Sequence, residues 1–192
     1  MQTFSGYIRA FLSLAVLAGL AACGGGHSTV ELGGKVTGLT RDGLALANGN
    51  STITIPANAT SYKFPDEIDN FADYNVTILS QPVGITCNLV NAKGSATGIP
   101  ITWVNVSCSQ NTYTLGGTIT GLTAGPLVLV NGSDTVSISA NSTSYVFPTA
   151  VAQGAVYGVA VLTQPPGLTC SVANGTAVMG QGNVTNVQVN CQ

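Results

Sequence analysis

The chain has 192 residues, and only 6 % of them are charged, against roughly 25 % in an average globular domain. Five Lys and Arg stand against seven Asp and Glu, so the formal net charge is −2. No basic patch exists that would neutralise phosphates, and nucleic acid is therefore excluded as an expected partner. The abundant Gly, Thr, Ser, Asn and Val instead favour β-strands joined by tight turns.

The chain begins with a pattern typical of an export signal. Residues 1–9 carry the amino terminus and one Arg, and the apolar stretch 10–20 follows. At 11 residues this stretch is far shorter than the roughly 20 that span a bilayer. It therefore predicts a segment that is removed after export rather than a transmembrane helix.

Leu20-Ala21-Ala22-Cys23 resembles the bacterial lipobox. The resemblance implies cleavage before Cys23 and acylation of its thiol, and Gly24 resembles the outer-membrane sorting pattern of Gram-negative lipoproteins. The alternative is an ordinary signal peptide followed by an unmodified thiol, but Leu20 fits poorly where that signal requires a small residue. We predict a lipoprotein signal peptide at 1–22, followed at 23–31 by a lipidated Cys23 and a flexible tether.

The remainder of the chain is an internal repeat. Residues 32–109 and 115–192 align at a constant offset of 83 without insertion or deletion, and 34 of the 78 aligned positions are identical. This agreement indicates a duplication. We therefore predict module 1 at 32–109, a linker at 110–114 and module 2 at 115–192.

Each module shows the period-two pattern of β-strands. Thr52-Ile53-Thr54-Ile55 alternates polar and apolar residues, Tyr62 and Phe64 are two positions apart, and Asn48-Gly49 is a strong turn signal. About seven short strands fit into each module, and no helical periodicity is present outside the signal. The predicted fold class is all-β, with two tandem antiparallel β-sandwiches of immunoglobulin or fibronectin-III type.

The remaining four cysteines form two pairs of equal spacing. Cys87 and Cys108 are 21 positions apart, as are Cys170 and Cys191. An even set at matched spacing is typical of a disulfide framework in an exported chain, and strand parity places each pair on apolar strand faces. We predict one disulfide bond within each module, worth about 3 kcal/mol for a loop of this length.

The shared motifs resemble a known module. Copies of this module occur in tandem in proteobacterial secreted proteins and lipoproteins and are described as immunoglobulin-like. The resemblance covers both repeats and implies neither enzymatic activity nor catalytic residues. The motifs that carry it are Gly33-Gly34-Lys35-Val36-Thr37-Gly38-Leu39, Gln81-Pro82-Val83-Gly84-Ile85-Thr86-Cys87 and Asn183-Val184-Thr185-Asn186-Val187.

Trp103 is a candidate binding residue. Strand parity directs Val104 and Val106 inward and hence Trp103 outward, where module 2 has Asn186. An exposed Trp can stack on a sugar or anchor a protein contact. The alternative is packing beneath the facing loop or against the neighbouring module.

The acidic residues Asp66, Glu67 and Asp69 of module 1 complete the candidate binding surface. Such carboxylates can bind Ca²⁺, but the segment lacks the glycine and the terminal Glu of an EF-hand loop. We therefore predict a solvated acidic turn and no metal site. The two regions without any identity between the modules are 66–71 and 92–101. Loops that differ on a shared scaffold are where a binding role would lie, and the alternative is neutral divergence.

No enzymatic site is expected, and no cofactor. Module 2 has Asp134 as its only acid and contains no Lys, Arg or His, so it cannot assemble acid–base or nucleophilic catalysis. A hydrolase built from the acids of module 1 is a remote alternative.

The expected function is that of a lipid-anchored envelope protein of the bacterial outer membrane with a structural, spacer or adhesive role. Its expected partners are the membrane, through the anchor, and a protein or glycan. The alternative is a periplasmic accessory subunit that binds a partner by strand addition.

Overall fold

The structure is a computed structural model, and it describes residues 28–192. The predicted signal peptide and Cys23 lie outside the described residues. Within 28–192 every regular element is a β-strand, and none of these residues belongs to a helix capable of crossing a membrane.

Ten strands build module 1, three more than predicted because several are short. They are β1 (Thr29–Val30), β2 (Gly33–Thr37), β3 (Leu44–Asn48), β4 (Ser51–Ile55), β5 (Ser61–Lys63), β6 (Ile68–Asp69), β7 (Asp73–Ser80), β8 (Ile85–Val90), β9 (Lys93–Ser95) and β10 (Asn105–Gln110).

Ten strands also build module 2. They are β11 (Thr112–Tyr113), β12 (Leu115–Thr120), β13 (Leu127–Asn131), β14 (Asp134–Ile138), β15 (Ser144–Val146), β16 (Val151–Ala152), β17 (Val156–Thr163), β18 (Cys170–Ala173), β19 (Thr176–Val178) and β20 (Val184–Cys191).

Each module has two four-stranded sheets. In module 1 the strand orders are β5-β2-β10-β8 and β4-β3-β7-β9, and β1 pairs separately with β6. Module 2 repeats this arrangement as β15-β12-β20-β18 and β14-β13-β17-β19, with β11 paired to β16. The predicted all-β fold of two sandwich modules is confirmed.

One pairing in each module differs from the antiparallel arrangement that we predicted. β2 runs parallel to β10, with Val36 opposite Val106. β12 likewise runs parallel to β20, with Ile119 opposite Val189. Because the chain crosses repeatedly between the two sheets, the last long strand of each module can return beside β2 or β12 in the same direction. Side chains alternate in the same way in parallel and antiparallel strands, so the sequence pattern does not distinguish the two arrangements.

The cores lie between the sheets of each module. In β7, Tyr74 and Val76 are buried while Asp73 and Asn75 are exposed, as period-two alternation requires. The rings of the buried Tyr62 and Phe64 pack edge to face, with their centroids 5.8 Å apart. The equivalent pair in module 2, Tyr145 and Phe147, repeats this contact at 5.9 Å.

The predicted module boundaries require correction at both ends of module 1. The tether was expected to extend to residue 31, but Val30 is buried and pairs with Ile68 in the sandwich. The linker predicted at 110–114 is largely strand, because β10 extends to Gln110 and Tyr113 of β11 pairs with Val151 of module 2. The two modules therefore follow one another without a separate linker.

Candidate functional site

The two predicted disulfide bonds are present, between Cys87 and Cys108 and between Cys170 and Cys191. In each module the two cysteines stand directly opposite one another on neighbouring antiparallel strands. Each bond therefore joins an edge strand, β8 or β18, to the strand beside it.

A glutamine side chain covers the outer edge of the same strand. Gln81 accepts a hydrogen bond from the backbone N–H of Cys87 at 2.8 Å and donates one to its carbonyl oxygen, also at 2.8 Å. Gln164 makes the same pair of bonds to Cys170, at 2.9 and 2.7 Å. An amide side chain thus occupies the place of a neighbouring strand, which explains why the Gln-Pro-x-Gly-x-Thr-Cys motif begins with Gln.

The junction between the modules is centred on Asn111. Its backbone N–H donates to Gly84 of module 1 at 2.9 Å, and its carbonyl accepts from the N–H of Gln153 of module 2 at 2.9 Å. Its side chain accepts from Thr86 at 2.7 Å and donates to the Gln153 side chain at 3.2 Å. Asn111 is therefore hydrogen-bonded twice to each module, and Gln153 is buried beside it.

The expectation that Trp103 points outward is corrected by the structure. Its side chain is half-buried and packs against the core of module 1, and its Nε1–H donates to the Tyr74 hydroxyl at 3.2 Å. Asn91 donates to its carbonyl at 3.2 Å. Because β10 begins only at Asn105, Trp103 lies outside the strand and strand parity does not govern it. Of the two alternatives, packing against the neighbouring module is not what the structure shows, because the partners of Trp103 belong to module 1.

The three acids are exposed but do not converge on one point. Asp66 accepts a hydrogen bond from the Ser51 hydroxyl at 2.7 Å, and Glu67 accepts one from the Thr29 hydroxyl. Across the part of the chain that the structure describes, no three His, Cys, Asp or Glu side chains are grouped as a metal site requires. Trp103 is instead bonded to Tyr74 and Asn91, and none of the hydrogen bonds within residues 28–192 joins it to Asp66, Glu67 or Asp69.

The two regions that differ between the modules meet at one end of module 1. The N–H of Phe71 donates to the Ala96 carbonyl at 3.1 Å, and the N–H of Ala96 donates to the Ala72 carbonyl at 2.9 Å. A Cβ placed on Gly98 would lie 3.4 Å from the Asn70 amide nitrogen. The N–H of Asn70 in turn donates to the Ser28 carbonyl at 2.8 Å. We call this end, formed by residues 66–71 and 96–99, the entry pole, because the chain enters module 1 there.

The entry pole carries two exposed apolar side chains that the sequence analysis did not single out. Phe71 is 79 % exposed and Ile99 is 55 % exposed. The aligned residues of module 2 are Gly154 and Gly182. That difference was readable from the repeat alignment, but the proximity of the two loops was not.

The titratable groups inside the sandwiches are tyrosines. Burial raises the pKa of Tyr62 well above its ordinary value, and its hydroxyl donates to the Val104 carbonyl at 2.9 Å. Burial and the nearby Tyr157 raise the pKa of Tyr145 to about 12. At neutral pH both hydroxyls are therefore protonated and neutral. On the surface, Lys63 donates to Glu31 at 2.8 Å, and this bond and the charge of Glu31 raise the pKa of Lys63.

These features define an all-β protein of two similar sandwich modules, each holding one disulfide bond between neighbouring strands. No protein-family model matches the chain, and no curated protein matches it in sequence.

Solved structures show similarity in fold. The structure of the Bacillus anthracis TIE protein matches with a TM-score of 0.56 and 14 % identity, over 85 % of this chain and 34 % of that one. The major pilin protein T-13 of Streptococcus pyogenes matches with a TM-score of 0.29 and 9 % identity, over 85 % of this chain and 96 % of that one. The chain thus spans about a third of the length of the TIE protein, and at this identity the similarity shows the fold alone.

Proposed function

We propose that the protein is a lipid-anchored bacterial envelope protein whose two modules form a short, stiff spacer. We also propose that it belongs with the tandem immunoglobulin-like modules of proteobacterial lipoproteins that its motifs resemble. The observation that carries the spacer role is the junction, where Asn111 is bonded to Gly84 and Thr86 on one side and to Gln153 on the other. Because both the N–H and the carbonyl of Asn111 are hydrogen-bonded to the modules on either side, this connection resists bending more than a flexible linker does.

A further observation supports a location outside the cytoplasm. Disulfide bonds persist in oxidising compartments, and each module contains one. The lipobox residues that end at Cys23 supply the proposed anchor to the outer membrane.

The anchor is tested by labelling cells that express the full chain with radioactive palmitate. We expect label in the wild-type chain and none in the Cys23→Ser variant, which should also leave the membrane fraction. An unlabelled wild-type chain would refute the anchor.

The stiffness of the junction is tested by hydrogen–deuterium exchange of the full chain. Because the amides of Asn111 and Gln153 bridge the modules, we expect them to exchange at least about 100-fold more slowly than unstructured amides. Replacing Asn111 with Gly should accelerate exchange at Gln153 and leave the amide of Val76, inside module 1, unchanged. Fast exchange at Asn111 in the wild-type chain would contradict a stiff spacer.

A second candidate function, partner binding by strand addition, is favoured by one open sheet edge in each module. β8 and β18 are covered by glutamine side chains, and β5 and β9 are only three residues long. β4 has five residues, no charge and no proline, and within residues 28–192 it pairs only with β3. Because Ser51 closes a two-residue hairpin with Asn48, the backbone groups of Thr52 and Thr54 point away from β3.

We predict that a photo-reactive amino acid at Thr52 captures a partner strand in intact cells. The Thr54→Pro substitution should abolish that adduct, because it removes an outward N–H without breaking a bond to β3. The matched control is the same photo-reactive residue at the exposed Asn88 of β8, which should give no adduct because Gln81 covers that edge. Equal capture at both positions, or capture that Thr54→Pro does not change, would exclude this candidate.

A further inference from the structure

Phe71 has a backbone conformation that is costly for its residue type. Its φ angle is +66°, in the left-handed region, where residues other than Gly, Asn and Asp are strained. The two modules share a positive φ at six aligned positions, and at five of these both modules have the same Gly or Asn. The sixth has Gly154 in module 2 and Phe71 in module 1. Strain at an exposed residue points to a role outside the folding of the module.

The surrounding structure holds Phe71 in this conformation. Its N–H donates to the Ala96 carbonyl and to the Asn70 side-chain oxygen, each at 3.1 Å. Its ring points away from the core and is 79 % exposed, so it contributes little to packing. Ile99, in the adjoining loop, is exposed as well. The backbone at Phe71 is therefore fixed by hydrogen bonds while the ring is displayed to solvent.

In module 2 the position aligned with Phe71 is Gly154, and this end of the module is covered by module 1. Gln153 is buried there, and a Cβ placed on Gly84 of module 1 would lie 3.6 Å from the Gln153 side chain. A Cβ placed on Gly154 would lie 3.8 Å from the Arg41 guanidinium of module 1. Module 2 has glycine at this point, where φ is +81° and the chain lies against module 1. Module 1 has Phe71 at the same place, and no other part of residues 28–192 covers it.

The position of the chain entry indicates what lies against this pole. Ser28 is hydrogen-bonded to Asn70, next to Phe71, and it follows Cys23 by five residues. Five residues span at most about 18 Å when fully extended. A lipid on Cys23 would therefore keep the entry pole within about 18 Å of the membrane surface, and the other module would point away from it.

We propose that Phe71 and Ile99 dock the entry pole onto the interfacial region of the lipid bilayer. This inference rests on the lipid anchor proposed above. The free energy of aromatic and aliphatic side chains falls when they leave water for this region. Because the anchor tethers the entry pole to the bilayer, the effective concentration of the pole at the interface is high. The exposed carboxylates of Asp66, Glu67 and Asp69 border the pole, so zwitterionic headgroups suit it better than anionic ones.

The test places a fluorescent probe at the pole. The full lipidated chain carrying Phe71→Trp is reconstituted in vesicles of phosphatidylcholine with brominated acyl chains, which quench tryptophan by contact. We expect the added emission to be blue-shifted and mostly quenched. The wild-type chain is the matched control, because its one tryptophan, Trp103, is half-buried within module 1 and should be quenched little. Added phosphatidylglycerol should reduce the quenching of Trp at position 71.

A second variant separates docking from folding. Phe71→Gly with Ile99→Gly gives module 1 the residues of module 2, and it relieves the strain at position 71. We expect Phe71→Gly alone to unfold at a temperature about 4 °C higher, because of the two positions only 71 has a positive φ. We expect the double variant to lose the protection of amides 96–99 against exchange that vesicles confer on the wild type. A structural role for Phe71 would instead lower the unfolding temperature.

The outcomes also distinguish this proposal from the anchor. Absence of palmitate on Cys23 refutes the anchor and the docking that rests on it. An acylated chain whose Trp at position 71 remains unquenched refutes the docking alone. Cross-linking of position 71 to a second copy of the chain would likewise overturn it, because another protein would then occupy the pole.

Discussion

The Gly117→Ala variant is expected to leave module 2 unfolded at room temperature. A Cβ placed on Gly117 would lie 1.6 Å from the Val187 carbonyl oxygen, so the parallel pair β12–β20 cannot form. The obstructing atom belongs to the backbone of a central strand and cannot rotate away. We expect a loss of stability of more than about 4 kcal/mol, which is most of what a module this small possesses. Circular dichroism and denaturant titration measure this loss.

The matched control is Gly158→Ala in β17 of the same module. A Cβ on Gly158 has no atom within 4 Å, and its backbone lies outside the positive-φ region. This change should alter stability by less than about 1 kcal/mol. If Gly117→Ala lowers stability no more than Gly158→Ala does, the backbones of β12 and β20 do not approach each other as closely as described.

Removing the disulfide bond of module 2 with Cys170→Ala and Cys191→Ala should lower its free energy of unfolding by about 3 kcal/mol. The bond closes a loop with a sequence separation of 21, and its loss restores that entropy to the unfolded chain. Changing both cysteines avoids leaving a reactive thiol in the core. Denaturant titration should show an earlier transition for module 2 and an almost unchanged one for module 1, which keeps Cys87–Cys108 and serves as the internal control. A loss below about 1 kcal/mol would show that the strand contacts alone maintain the module.

Together, the proposals describe a protein that is organised from the membrane outward. In this arrangement the entry pole of module 1 would rest on the bilayer, and Asn111 would continue the chain into module 2 without a flexible segment. The open edge of β4 would remain available to a partner strand. Each of these features is tested by a separate substitution.

Much of the fold followed from local patterns in the sequence. Thr52 to Ile55 alternate and form β4, and Asn48-Gly49 forms the turn before it. Cys87 and Cys108 were placed on apolar strand faces, and their strands bring them into register. These predictions succeeded because strand periodicity and turn chemistry depend on neighbours within a few residues.

Other predictions were wrong because local patterns were applied where contacts with distant residues decide. Trp103 precedes β10, and its direction is set by the Tyr74 hydroxyl, which is 29 positions away in the sequence. Residues 110–114 contain no apolar run, so they resembled a linker. Thr112 and Tyr113 form a strand because β16 of module 2 offers them a partner, and Gln110 pairs with Ile85 of module 1.

The sequence alone determined the duplication, the strand content and the cysteine pairing, since these depend on composition, spacing and a period of two. The tertiary structure alone decided which loops meet, which edges stay open and which pole is covered. The aligned positions 71 and 154 show the reason. Both have a positive φ, but Gly154 lies near Arg41 of module 1 whereas Phe71 faces outward. Packing of this kind depends on residues that are distant in the chain, and local patterns do not record it.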